Sequence, residues 1–359
     1  YFPASKLTWL LREEPHIRRR LEAGSALIGT IDAYLIYRLT GSAIFATDHS
    51  NASRTLLFNI NTLAWDEDLC ALFEIPSGAL PEVHESSAFF GQTDLEGALE
   101  SPIPICGVMG DSQAALFAQR CYTPGDAKVT IGTGSSVMLN IGHEPLLSRN
   151  GLLTAFGWVY ETRPVYAFEG IINYAGATVA WLRDGLELIE NSAETEQLAI
   201  SVEDNGGVYL VPAFVGLNAP YWRADVKAAI VGLTPGSTKA HVARAALESI
   251  AYQIKEVLDL MKDEAKADLT IIRADGGATQ NAFLMQVVAD LTGIAVRASA
   301  LPELSALGAV YAGMLGLGIR NMSELREMAA NYSEYQAAIN ADMAEKMHAG
   351  WIAAVQQVL

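Results

Sequence analysis

Residues 129–131 and 137–141 are short runs rich in strand formers, and between them lie Gly132, Thr133, Gly134, Ser135 and Ser136. That pattern predicts a strand, a tight turn and a second strand. Apolar runs at 103–109, 165–170, 207–216, 268–273 and 295–298 predict further strands. Charge is so sparse in 103–109 that burial on both faces is expected there. Helical periodicity covers 1–24, where Leu7, Leu10 and Leu11 share a face and Pro3 suits the first turn. A second helix spans 29–41, capped by Thr30 and closed by Gly41. The segments 66–73, 113–121, 174–183, 241–261, 281–292 and 305–317 also read as helices, and the rest to Leu359 as helical and more charged. The polar stretch 47–55 reads as a turn with capping chemistry at Asp48 and Ser53. At Tyr122, Thr123, Pro124 and Gly125 the pattern restarts, which divides the chain into 1–121 and 122–359.

Strands and helices that alternate in this way place the chain in the α/β class. Its 359 residues, about half of them hydrophobic, suffice for two domains with full cores. A net charge of −17 repels a polyanion, so nucleic-acid binding is not expected. The cluster Arg18, Arg19 and Arg20 reads as a solvated helix end. Cys70, Cys106 and Cys121 are too few and too irregularly spaced for a zinc site or a disulfide framework, and they fit a reducing cytoplasm. No membrane span is expected: the nearest candidate, 301–319, contains Glu303, Ser305 and many small residues. The first residue is Tyr1, without a signal peptide or Met, which suggests a fragment or a processed chain.

Three features bear on chemistry. The Gly132–Gly134 turn offers backbone N–H groups and hydroxyls with no bulk in the way, as an anion cradle requires. An ordinary hairpin turn has the same composition, so this motif alone leaves both readings open. Asp111 stands just past the 103–109 strand, where open α/β sheets bind ligands, although an N-cap is the commoner role for such a residue. Farther on, Asp275, Gly276 and Gly277 form a second glycine turn between a strand and a helix, a backbone cradle for a nucleotide. The bareness of Gly176 and Ala177 leaves the start of the 174–183 helix open to close approach. With so acidic a chain, any phosphate must be held by amides, helix N-termini and Mg²⁺.

Longer motifs now add a resemblance. Tyr1-Phe-Pro-Ala-Ser-Lys6-Leu-Thr-Trp9-Leu10 resembles the first signature of the FGGY carbohydrate kinases. Gly232-Leu-Thr-Pro-Gly-Ser-Thr-Lys-Ala-His241-Val-Ala-Arg-Ala-Ala-Leu-Glu248 resembles the second. Segments 29–36, 50–59, 131–134, 181–184 and 219–222 look most like the glycerol kinase branch of that family. The resemblance implies an actin-like ATPase fold, two domains of ribonuclease-H-like topology with a cleft between them. It also implies a kinase that moves a phosphoryl group from ATP, with Mg²⁺, to a terminal hydroxyl of glycerol or a related polyol or sugar. On matching positions, Asp111 is the base for the attacking hydroxyl and Gly132, Thr133 and Gly134 form the second phosphate loop. Gly176, Gly276, Gly277 and Asn281 line the nucleotide, and Tyr1 meets the substrate hydroxyls. No protein residue is assigned as a direct metal ligand. Family habit suggests a dimer or tetramer.

The chain departs from the family pattern in several places. It has neither the Asp-x-Gly-Thr phosphate loop nor the arginine–glutamate pair that grips the polyol, so the first domain is expected to be incomplete and the chain alone inactive. Ser112 and Ser136 replace a glutamine and an aromatic residue beside the substrate, which implies a roomier, more polar pocket and admits a pentulose as the acceptor. Ala180 replaces a polar nucleotide contact, and the basic loop that binds a sugar bisphosphate in some relatives is not recognisable at 97–104. A catalytically silent nucleotide-binding regulator is the remaining alternative.

Overall fold

The computed structural model describes residues 2–301 and 303–359. Among them, seven strands form one mixed sheet: β1 (Asp126–Ile131), β2 (Ser135–Gly142), β3 (Leu153–Tyr160), β4 (Arg163–Ile172), β5 (Ile271–Asp275), β6 (Val296–Ser299) and β7 (Tyr332–Tyr335). Their spatial order is β7-β6-β5-β1-β2-β4-β3. β5 runs parallel to β1 and to β6, and every other neighbouring pair is antiparallel.

Alternation along the strands sorts side chains to the two faces. Ala127, Val129 and Ile131 of β1, with Val137 and Leu139 of β2, enter the main core. There they meet α2 (Gly176–Asp184), α3 (Lys239–Ala265) and α4 (Ala282–Thr292). Met138, Val165 and Ala167 point the other way, into a smaller core with α1 (Asp111–Ala118) and α5 (Leu304–Gly316). α3 begins with a capping box between Thr238 and His241 and ends at Lys266 in the left-handed conformation.

The first hundred residues are built differently. Their strands pair only two at a time: Ala46–Asp48 with Glu82–His84, Phe58–Asn59 with Ala64–Trp65, and Gln92–Thr93 with Ile103–Pro104. No larger sheet forms there among the described residues.

Several expectations need correction. The helix expected over 1–24 is two helices, Ala4–Glu13 and Pro15–Glu22, because Pro15 has no N–H to donate and holds Glu14 out of helical geometry. The buried strand expected at 103–109 pairs as a strand only at Ile103–Pro104. It buries Cys106 and Val108 while Ile103 remains exposed. In the run 207–216 only Tyr209–Val211 is a strand, paired with Ala229–Val231. A 3₁₀ turn, Gly277–Gln280, separates β5 from α4. Two sheet strands were not anticipated. β3 is an almost unbroken apolar run, and β7 is a polar edge strand inside the tail expected to be helical. Thr30 does precede the Ile31–Leu39 helix, but its hydroxyl makes no capping bond. Asp48 caps the His49–Ala52 turn as expected, and the Ser53 hydroxyl donates to the Ser50 carbonyl at 2.8 Å.

α5 explains its small residues by what it touches. A Cβ on Gly308 would lie 1.9 Å from the Ala114 carbonyl oxygen of α1, and one on Gly316 would lie 2.3 Å from that of Ser87. The backbones are in contact, and no side chain fits between them. Gly308→Val is therefore expected to lower stability by about 1–3 kcal/mol through overpacking, read as an earlier urea midpoint. An unchanged midpoint would show that the helices are free to separate.

Candidate functional site

The turn between β1 and β2 is held by its own backbone and by α2. The Gly132 N–H donates to the Gly134 carbonyl at 2.9 Å. The N–H groups of Gly176 and Ala177 donate to the carbonyls of Gly132 and Thr133, both at 2.9 Å. These helix-start donors, open in most helices, are thus satisfied by the hairpin. A Cβ on residue 176 would stand 2.5 Å from the Gly132 oxygen. The group that approaches the bare start of α2 is the hairpin backbone itself. Gly134 has a similar reason to lack a side chain, since a Cβ there would lie 2.6 Å from the Ile172 carbonyl.

Beside this junction lies a cavity of about 580 Å³, within the range of small-molecule sites. Gly132, Thr133, Gly176, Gly277 and Asn281 all line it, so five of the seven residues expected around a nucleotide come together. Gly134 and Gly276 do not line it, although their chain neighbours Thr133 and Gly277 do. Gly276 takes φ +95°, and a Cβ on it would meet the Ile131 carbonyl at 2.4 Å, which lets β5 end directly against β1. Gly277 differs: a Cβ there would meet no protein atom within 4 Å, and one on Gly132 would meet only the Gly134 oxygen, at 3.8 Å. Both therefore border open space. Apolar walls from Ile131, Val179, Leu247 and Ile250 suit a flat ring, while the glycine edges suit an anion. Asn281 caps α4 through Oδ1, which accepts from the Leu284 N–H at 2.9 Å, and its amide donates to Thr195 at 3.3 Å. Ala180 also lines the cavity.

Asp111 is the first residue of α1 and is exposed; the cap position belongs to Gly110. Its Oδ1 accepts from the Ser112 N–H at 2.7 Å. The main chain around it is anchored on both sides. The Ser305 hydroxyl donates to the Asp111 carbonyl at 2.9 Å, and the Gly110 N–H donates to Ser50 Oγ at 2.7 Å. Ser50 in turn donates its proton to Asp48 Oδ2 at 2.7 Å. Asp48 is fully buried and also accepts from Asn51 and, at 2.6 Å, from Ser86. Burial pushes its carboxyl above the usual carboxylate range, against the pull of these donors. Sequence reading found Asp48 as a cap and missed that it supports the Asp111 loop, because 60 residues separate Ser50 from Gly110.

Under α1, the sheet carries a buried polar patch that the sequence reading also missed. Arg54 pairs with the buried Glu169 at 2.7 Å, and the Ser136 hydroxyl donates to Glu169 at 3.4 Å. Gln119 at the end of α1 donates to Asp275 at 2.9 Å. Lys128 is only 1% exposed. Burial pulls its ammonium below the usual lysine range, opposed by Asp275, Glu169, Cys121 and Asp111 in that order. The available signal was a charged residue within each of three strands that also bury apolar side chains: Lys128, Glu169 and Asp275. Asp111 is thus near enough for its charge to reach the strand that leads into the hairpin. Ser112 and Ser136 are not among the residues lining the 580 Å³ cavity. Tyr1 lies outside the described residues. Among the described residues no cluster of His, Cys, Asp and Glu is arranged to hold a metal, and no helix is long and apolar enough to cross a membrane.

Comparison with known proteins decides the family. The N-terminal domain of the FGGY family of carbohydrate kinases matches residues 1–118, and its C-terminal domain matches residues 127–317. The chain belongs to the FGGY family of carbohydrate kinases. It is 47% identical to glycerol kinase 1 of Thermotoga maritima over 360 residues, all of this chain and 73% of that protein. It is 46% identical to the glycerol kinase of Desulfitobacterium hafniense with the same coverage. A Plasmodium falciparum glycerol kinase solved with ADP superposes with a TM-score of 0.91 at 35% identity, over 99% of this chain and 71% of that one. The xylulose kinase of Lactobacillus acidophilus, at 20% identity and a TM-score of 0.86, shares the fold, with 99% of this chain and 71% of that one covered. As an FGGY carbohydrate kinase the chain is a phosphotransferase with an alcohol acceptor, built on the actin-like ATPase fold.

The Asp48–Ser50–Gly110 chain of hydrogen bonds yields a prediction for this kinase. Ser50→Ala leaves the Gly110 N–H without its partner and is expected to cost about 1–3 kcal/mol. Faster hydrogen exchange at the Gly110 amide should accompany the earlier denaturation midpoint. Exchange unchanged at that amide would show that Ser50 does not hold the loop.

Proposed function

We propose that this chain carries the phosphoryl-transfer machinery of a glycerol kinase, with Asp111 as the general base and the 580 Å³ cavity as the nucleotide site. The observation that carries this reading is the pair Gly132 and Gly277, whose missing side chains leave room along the cavity edge; the exposed carboxylate at the start of α1 is the proposed base. Gly132, Thr133, Gly176, Gly277 and Asn281 are the proposed nucleotide contacts, with Gly134 and Gly276 keeping the backbone close. ATP with its Mg²⁺ supplies the phosphoryl group and neutralises its charge. The metal would enter on the nucleotide, since no cluster of protein ligands waits for it among the described residues.

The chain's own part is positioning and proton management. Asp111 takes the proton of the acceptor hydroxyl, and its Oδ1 is oriented for this by the Ser112 N–H. Lys128, buried beneath, answers the negative charge of Asp275 and Glu169 near the reacting groups. The Thr133 and Gly134 amides of the hairpin face the transferred group once the 1–121 and 122–359 parts close and exclude water. Glycerol is the acceptor favoured by the names of the relatives at 46–47% identity. The small side chains of Ser112, bonded to the base through its N–H, and of Ser136 would leave room for a longer polyol or a pentulose.

A paired assay tests this reading. The 359 residues contain no Asp-x-Gly-Thr loop, so they are expected to bind ADP without turning over glycerol. In a version that also carries that loop, glycerol should be phosphorylated ahead of xylulose. Asp111→Asn in that version should lower kcat about 10²–10⁴-fold, with ADP affinity kept. Full activity in Asp111→Asn would remove the base from the scheme, and preference for xylulose would move the acceptor to the pentuloses. ADP bound without turnover in the version with the loop would favour a regulator.

A further inference from the structure

The molecule has 24 lysines and arginines against 41 aspartates and glutamates, yet one small cavity is lined by three arginines. It lies between the end of α1, strands β5 and β6, the start of α5 and residues 329–332, and has a volume of about 50 Å³. Arg120, Arg273 and Arg297 line it together with Ser299 and Asn331, and no carboxylate does so among the described residues. Two of the arginines are engaged elsewhere. Arg120 donates to the carbonyls of Arg326 and Met328, and Arg297 pairs with Glu334 at 2.8 Å while lying over the Tyr332 ring.

Arg273 is not. Its Nε is buried without a hydrogen-bond partner, and no ion pair among the described residues includes it. The nearest acid on its own strand, Asp275, gives Oδ2 to the Gln119 amide. A guanidinium keeps its proton, so it cannot relieve burial by becoming neutral as a lysine can. A buried donor left unmade is costly, and an anion in the cavity would meet it. The volume admits a group of a few heavy atoms, and the planar fork of Arg273 matches oxygens of a tetrahedral oxyanion.

We propose that this cavity binds a small oxyanion, either free phosphate or the phosphate of a phosphomonoester, with Arg273 as its principal donor. The site is distinct from the 580 Å³ cavity, and the two share no lining residue. Its walls nevertheless include the C-terminal end of α1, whose first residue is Asp111, and the middle of β5, three residues before Gly276.

The test is calorimetric titration of inorganic phosphate, and separately of glycerol 3-phosphate, into the chain at fixed ionic strength. Binding that weakens at least 10-fold in Arg273→Gln and is partly retained in Arg273→Lys supports the proposal. Equal affinities assign the site to free phosphate, whereas tighter binding of the ester assigns its carbon chain to the apolar wall of Leu301, Leu304 and Leu307. Phosphate held at the glycine edges of the larger cavity would be indifferent to Arg273→Gln. That indifference, or no binding at millimolar phosphate, overturns the proposal. Thermal melts guard against misfolding. In phosphate-free buffer Arg273→Gln should melt no lower than the parent, and a clear drop would reveal an internal partner for the guanidinium and overturn the idea as well.

Discussion

Everything at the site depends on peptide backbones meeting where side chains would keep them apart. β1 ends at Ile131, and within one residue its carbonyls and amides are in contact with the start of α2 and the end of β5. Gly176 and Gly276 make these contacts sterically possible, and Gly134 does the same where the turn meets the Ile172 carbonyl. The hydrogen bonds from Gly176 and Ala177 then fix the hairpin against the helix, so the turn is a rigid rim for the cavity. A rim of this kind costs no reorganisation when a charged ligand arrives, which is what preorganised electrostatic sites require.

The second constraint is on α1. This helix fills the smaller core with Leu116 and Phe117, carries Asp111 at one end and Gln119 just beyond the other, and is gripped along its length by α5. Its start is held by Ser50, at the Gly110 N–H, and by Ser305, at the Asp111 carbonyl. The carboxylate therefore has a fixed base although it is itself exposed. Fully connected polar chains such as Asp48–Ser50–Gly110 gain from the low dielectric around them, and for the same reason they are intolerant of a missing member.

The sequence made the site's chemistry legible because that chemistry is written in local motifs. Gly132–Gly134 and Gly276–Gly277 sit at strand ends, where glycine marks a tight turn or a close approach of backbone, and the structure gathers most of them at one cavity. The helix at 113–121 and the small-residue character of 305–317 were readable for similar reasons. What was hidden is non-local. Nothing near Asp48 indicates Gly110, and nothing near Arg273 indicates a cavity floored by residues 329–332. Pro15 was a visible break whose effect was underweighted against the leucine pattern around it. β7 was hidden because an edge strand with polar side chains on view lacks the alternation that marks a half-buried one. The 103–109 run looked like a central strand, yet hydrophobicity does not say whether a neighbour is there to pair with.

The reach of the contacts at Asp111 also has a bearing on how the molecule comes to exist. The bond from Ser305 to Asp111 spans 194 positions, and that from Gln119 to Asp275 spans 156. Contacts this distant in the chain are slow to form, since loop closure must precede any stabilisation they give. During synthesis α1 emerges long before the strand and helix that complete its surroundings. For that interval its apolar side has no cover from α5, so chaperone demand should concentrate on the nascent segment that carries α1.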